Sequence, residues 1–220
     1  MTSLLILSGM AMFMGLEFQN TLAGGSFSQK LLPSLFQSIT ARTAGFNTVD
    51  IAKLSNATLF LLMILMFIGA SPGSCGGGIK TSTFAVVMAS VFARFRMRED
   101  VNIFYRRIAS ADVSRAISVV FFSGIIVAVF AMLLLVVELP QVSHVSSRGL
   151  FVEYVFEVIS AFGTVGLSTG VTSTLSQAGK IIITFLMFIG RLGPLTIALA
   201  VQGTSLAPKY RYVQENVLVG

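Results

Sequence analysis

Charge is what this 220-residue chain has least of. Asp, Glu, Lys and Arg make up 11% of it against 55% hydrophobic residues, and the mean hydropathy is +0.87. Soluble domains carry about 25% charged residues, so the composition reads as an all-α integral membrane protein. Cysteine and histidine are as scarce, with one of each. A single cysteine excludes a disulfide framework within the chain, and one Cys with one His offers no metal-ligand spacing. No Ser/His/Asp set is present, and the acidic residues mostly sit in or near loops. The sequence therefore does not read as an enzyme, and no cofactor is expected in this chain. The formal net charge of +6 would suit a nucleic-acid partner. The basic residues cluster beside apolar spans, however, which is a topology signal rather than a binding surface, and no nucleic-acid partner is expected.

What the chain does have is a glycine-bearing break between two apolar segments, Thr164-Val165-Gly166-Leu167. A potassium filter needs backbone that runs extended, so that successive carbonyl oxygens face one axis and replace the ion's water shell. Gly166 permits a conformation that a side chain would block. One Thr-Val-Gly triplet is weak evidence, and a second copy strengthens it. At an offset of 121 residues, Thr43-Ala44-Gly45-Phe46 falls on Thr164-Val165-Gly166-Leu167 without a gap. From Thr43 to Gly69 there are 11 identities in 27 positions, more than shared apolar composition supplies. The chain thus reads as two copies of one unit: membrane helix, short re-entrant helix, glycine loop, membrane helix.

Taken in order, Leu4 to Leu16 is apolar but short for a span of about 20 residues. No Lys or Arg precedes it, unlike a signal peptide. It reads as the end of a membrane helix that begins upstream, with Met1 not the parent protein's true start. Lys30 to Ala41 is too short to cross and reads as re-entrant. Ala57 to Ala70 begins a membrane helix that Ser71-Pro72-Gly73-Ser74-Cys75-Gly76-Gly77-Gly78 interrupts. Proline removes a donor and clashes with the preceding turn, so the helix is expected to break in mid-membrane and resume near Ile79. Broken helices mark ion or substrate pathways. The same stretch lacks the Gly-Lys-Thr adjacency of a phosphate loop, because Ile79 separates Gly78 from Lys80.

Arg94 to Arg115 holds the main cluster of charge, and the positive-inside bias makes it cytoplasmic. Val101, Ile103, Phe104 and Ile108 between its charges suit an amphipathic helix lying on the membrane surface, with a docking face for a cytoplasmic partner as an additional reading. Ser114 to Val137 is a full membrane helix and Glu138 to Arg148 an outer loop with an incidental His144. Phe151 to Phe162 is a second re-entrant helix, and Ser176 to Val201 the last span. Glu153 and Glu157, one turn apart, have two readings: they concentrate cations at a pore mouth, or they cap and solvate a helix start. The units expected are 1–96, a connector 97–112, a second repeat 113–208 and a cytoplasmic tail 209–220.

Arg191 sits about 15 residues into the last helix, roughly 22 Å down at 1.5 Å per residue. A charge at that depth is expensive and marks function by default. In the repeat it falls opposite Ala70, where the other helix breaks. One reading has Arg191 bind the free carbonyls of that glycine-rich loop and hold it as a gate beneath the filter. The other is a helix-end arginine snorkelling to the cytoplasmic surface.

Four stretches resemble the Trk/Ktr/HKT superfamily of potassium uptake proteins, and most closely the Ktr-type membrane subunit. They are Thr43 to Thr48, Gly69 to Thr81, Gly163 to Thr169 and Phe188 to Leu195, matching in order across nearly the whole chain. The resemblance implies four helix–pore-loop–helix repeats around one pore, of which these are the third and fourth. The chain as given is then a fragment of a multi-pass transporter in the bacterial plasma membrane. It implies filter residues Thr43, Ala44, Gly45, Phe46, Thr164, Val165, Gly166 and Leu167. It implies a gating loop from Gly69, Ala70, Ser71 and Pro72 through Gly73, Ser74, Cys75, Gly76, Gly77 and Gly78 to Lys80, with Arg191 as its partner. It further implies a homodimer on a cytoplasmic ring of nucleotide-binding regulatory subunits. Potassium is the expected transported ion, held by filter carbonyls, with sodium as a coupling or activating ion. Sodium or mixed sodium and potassium transport on the same scaffold is the alternative.

Overall fold

Serines start the helices that matter most in this chain, at positions that repeat. In the computed structural model, residues 1–98, 100–103, 106–139 and 144–193 are described, with backbone alone for 144–148. The expected tail 209–220, the last span beyond Gly193 (with Pro194 and Leu195) and Glu99 lie outside the described residues. The first unit is α1 (Thr2–Glu17), α2 (Phe27–Thr40) and α3 (Asn56–Phe67). Ser26 opens α2 with a reciprocal capping box to Gln29, which satisfies donors that a helix start leaves free. Ser55 opens α3, its hydroxyl accepting from the Thr58 amide.

Residues 68–80 separate α3 from α4 (Thr81–Phe95) and are drawn together at their base into a neck. The Ile79 amide donates to the Phe67 carbonyl and the Thr81 amide to the Ala70 carbonyl, each at 3.2 Å. Ile68 and Ile79 pair there as an isolated parallel bridge. Helix α3 thus ends at Phe67 rather than at Ala70, and α4 begins at Thr81 rather than near Ile79.

The second unit is α5 (Ser110–Glu138), α6 (His144–Gly163) and α7 (Gln177–Leu192). Its boundaries follow the 121-residue offset closely. Glu17 and Glu138 end their helices, Asn56 and Gln177 begin theirs, and short 3-10 turns at Ile51–Lys53 and Val171–Thr174 precede the last helix of each unit. Ser176 opens α7 as Ser55 opens α3, accepting from the Gly179 amide. In the first unit α2 and α3 each pack on α1, in the second the three helices pack on one another, and α3 also packs on α6. One core gathers Phe13, Leu62, Met66 and Phe156 across the unit boundary, and another gathers Leu134, Val158, Phe162 and Leu186.

Helix α5 is long and apolar enough to cross a membrane, at 29 residues, and 11% of its most apolar window is buried. Phe121 and Met132 are each 64% exposed on it, a surface that only hydrocarbon solvates at no cost. Helices α1, α3 and α4 are also apolar but shorter.

Three expectations need correction. The connector is not a surface helix: Asn102–Ile103 (β1) and Arg106–Arg107 (β2) pair antiparallel, Asn102 opposite Arg107 and Ile103 opposite Arg106. Val101 and Ile103 are β-branched, a type that favours a pleated surface, and Arg107 closes the hairpin's base on Asp100 at 2.8 Å, while Phe104 lies outside the described residues. Helix α6 begins at His144, so that residue is not in a loop and neither Glu153 nor Glu157 caps a helix start. Finally, α7 ends at Leu192 with Gly193 at φ 83° instead of running unbroken to Val201, because a residue before proline is pushed out of the α region.

Candidate functional site

The loops following α2 and α6 meet face to face. A Cβ added to Gly166 would sit in ordinary van der Waals contact with the Gly45 Cα, and one added to Gly45 would collide with the Val165 carbonyl oxygen. Gly45 and Gly166 have φ of 76° and 92°, the left-handed region that glycine enters at no steric cost. More unusual are Thr43 and Thr164, β-branched residues held at φ 71° and 50°. Such outliers cost on the order of 1–3 kcal/mol each and persist where the surroundings over-determine them.

Short helices set these loops by hydroxyl ties. Thr40 donates to the Phe46 carbonyl at 2.5 Å and Ser160 to the Leu167 carbonyl at 2.6 Å. Phe46 and Leu167 thus turn a carbonyl lone pair back toward their own helix. Phe46 is 71% exposed whereas Leu167 is buried, as is Val165; Ala44 is exposed.

The segment from Gly69 to Gly78 closes the space below. The Gly77 amide donates to the Thr164 hydroxyl at 2.8 Å. A Cβ on Gly76 would lie 2.7 Å from the Thr43 hydroxyl, and one on Gly77 would lie 2.7 Å from that of Thr164. Two cations brace the segment: Lys80 Nζ donates to the Ser74 and Gly76 carbonyls at 3.1 and 2.7 Å, and Arg191 Nη1 donates to the Cys75 carbonyl. Ser71 shares a hydrogen bond with Thr2 at 3.0 Å. Gly69 to Ala70 and Gly77 to Gly78 are buried, while Pro72 through Cys75 are exposed. All the residues expected as filter, loop and loop partner are therefore brought together.

Three carboxylates and one arginine carry structure that the sequence reading did not assign. Buried Glu17 accepts from Asn20, from the amide and hydroxyl of Thr21, from the Ser55 amide and from the Thr58 hydroxyl. Its repeat mate Glu138 accepts from the amide and hydroxyl of Ser176. Each ties the end of the first helix of its unit to the start of the last. Adding 121 to Glu17 gives Glu138, so extending the alignment toward the N-terminus finds the pair. Glu157, also buried, accepts from the Ser168 hydroxyl at 2.6 Å, the Thr169 amide at 3.0 Å and the Thr172 hydroxyl at 2.5 Å. It fixes the chain just beyond Leu167 rather than facing open solvent. Arg42 reaches the Gly69 carbonyl at 3.4 Å, and its Nε and Nη2 are buried without a partner among the described residues.

A model of the TrkH family, described as cation transport protein, matches residues 1–207. The chain is 39% identical over 216 residues to the Ktr system potassium uptake protein D of Bacillus subtilis, covering 98% of this chain and 46% of that protein. It is 38% identical over 224 residues to the potassium/sodium uptake protein NtpJ of Enterococcus hirae, covering 100% and 48%. The Ktr system potassium uptake protein B of Vibrio alginolyticus is 39% identical over 223 residues, covering 100% and 46%. The chain spans about half the length of these curated relatives. A crystal structure of the potassium transporter TrkH from Vibrio parahaemolyticus shares the fold, with a TM-score of 0.71 at 17% identity over 89% of this chain and 42% of that one. On this evidence the chain belongs to the TrkH family of cation transport proteins.

Proposed function

We propose that this chain forms two of four helix–pore-loop–helix repeats of a potassium uptake protein, a multi-pass protein of the bacterial plasma membrane. The observation that carries the reading is the meeting of two Thr-X-Gly loops, offset by 121 residues, above one glycine-rich loop. Helices α2 and α6 point their C-terminal, partially negative ends at the space between the loops, which favours a cation there. Backbone carbonyls of Thr43 to Gly45 and Thr164 to Gly166 supply the oxygen ligands, and Phe46 and Leu167, whose carbonyls accept from Thr40 and Ser160, anchor the ends of the two filter loops. The loop from Gly69 to Lys80 is the gate and Arg191 its latch. A homodimer on a nucleotide-binding cytoplasmic ring is proposed as the assembly. Potassium is favoured by the glycine at both loops and by the potassium uptake named for two of the relatives. Sodium, as cargo or coupling ion, is the second reading, favoured by the relative NtpJ, a potassium/sodium uptake protein.

The test is rescue of a potassium-uptake-deficient bacterium at limiting potassium. The full reading frame containing this segment is expected to restore growth and the 220-residue chain alone is not. Growth with neither, alongside sodium-dependent uptake in vesicles, would move the assignment to sodium.

A further inference from the structure

We infer that the loop and the transported cation compete for one oxygen, the Thr164 hydroxyl, so that a cation arriving from the filter side is itself the signal that releases the loop. This rests on the pore reading above and goes beyond it by naming the atom at which occupancy is sensed. The Gly77 amide donates to Thr164 Oγ1 at 2.8 Å. A hydroxyl oxygen has two lone pairs, and the one engaged by Gly77 points toward the loop. A cation seated at the threonine level, just below the Val165 and Gly166 carbonyls, draws on that same oxygen. The positive end of the Gly77 N–H dipole and the ion's charge then face each other across it and repel.

Sterics act in the same direction. Gly76 and Gly77 are neighbours in the chain, and each lies against one threonine of the repeat pair, Gly76 against Thr43 and Gly77 against Thr164. Neither glycine has room for a Cβ, since Thr43 and Thr164 atoms would lie at 2.7 to 2.9 Å. The same glycine pair therefore fills the place where a dehydrated ion meets the threonine hydroxyls. Gly76 lies against both Oγ1 and Cγ2 of Thr43, and Gly77 against both of those atoms of Thr164, so with the loop seated these side chains have no room to turn aside and serve ion and loop in turn. Loop seated and inner ion bound are mutually exclusive states.

A cysteine at Ala70, a position buried against the loop while it is seated, is the reporter. The full-length transporter, carrying Ala70→Cys with its other cysteines replaced, is reconstituted in proteoliposomes, and the rate of labelling at that position by a charged methanethiosulfonate is measured in potassium and in N-methylglucamine. Uptake of labelled rubidium is followed in the same vesicles. Labelling is expected to rise about fivefold with potassium, the equivalent of losing one net hydrogen bond. Thr164→Ser keeps the hydroxyl and keeps the potassium dependence. Thr164→Val removes it and labels at the fast rate in either cation. Equal wild-type rates in the two cations, or a potassium dependence that survives Thr164→Val, overturns the inference. If Thr164→Val does not fold, the wild-type and Thr164→Ser series decide alone. Absence of rubidium uptake by the wild type, by contrast, overturns the pore reading and not the competition.

Discussion

Replacing the same carboxylate in the two repeats separates a structural lock from a surface contact. In Glu17, Oε1 accepts from the Ser55 amide and Thr58 hydroxyl, and Oε2 from Asn20 and from the Thr21 amide and hydroxyl. Hydroxyls can rotate, but the two backbone N–H groups cannot. Glu17→Gln therefore sets its own NH2 against the Ser55 amide or the Thr21 amide, whichever way the side chain turns. An unsatisfied buried donor costs about 1–3 kcal/mol, and hydrogen bonds to a charged group carry more than neutral ones, so the loss is about 3 kcal/mol. Glu138→Gln keeps one oxygen for the Ser176 amide and hydroxyl and turns its NH2 outward, at a cost below about 1 kcal/mol. At about 2–4 °C per kcal/mol for domains of this size, the midpoints should differ by about 6 °C. Fluorescence-detected gel filtration of the detergent-solubilised full-length protein after heating measures this. Equal losses at the two positions, or a larger one at Glu138, would refute the geometric account.

Gly45→Ala should abolish potassium uptake, because the added methyl group meets the Val165 carbonyl oxygen at a backbone angle that alanine disfavours; ion flux in vesicles checks it. Arg191→Gln removes the guanidinium from the Cys75 carbonyl and should raise maximal flux; unchanged transport would sink the latch assignment. Glu157→Gln should lower potassium-over-sodium selectivity severalfold by loosening Ser168, Thr169 and Thr172, read from competition between the two ions. Arg107→Ala should cost less than about 1 kcal/mol of stability, read from the thermal unfolding midpoint, since its pair with Asp100 is exposed and such pairs contribute little.

The repeat made most of this arrangement legible. Self-similarity and composition mark both Thr-X-Gly loops, an interruption after Ala70 and the position of Arg191, because each depends on glycine, proline or charge in an apolar background. Where reading failed, the signal was local and weak. The connector's alternating apolar residues fit a helix and a hairpin alike, and only pairing of Ile103 with Arg106 decides between them. Glu157 was visible as an acid in an apolar helix, but its partners lie beyond the next turn of chain, in a loop whose path no periodicity encodes. The contact of Gly76 and Gly77 with the threonines joins residues far apart in the sequence, and nothing in either segment alone announces it.

The neck at Ile68 and Ile79 has a mechanical consequence. Two amide-to-carbonyl bonds at 3.2 Å join the stumps of α3 and α4 across the loop's base, so the ends of the loop are already held together while it is seated. Displacing it closes no new loop and incurs no closure entropy. Neither helix has to fray, and the work of opening is confined to the few polar contacts at the loop's tip. Such a flap moves as a low-stability unit on a scaffold of higher stability. Its opening equilibrium can be tuned by single substitutions without changing whether the protein folds.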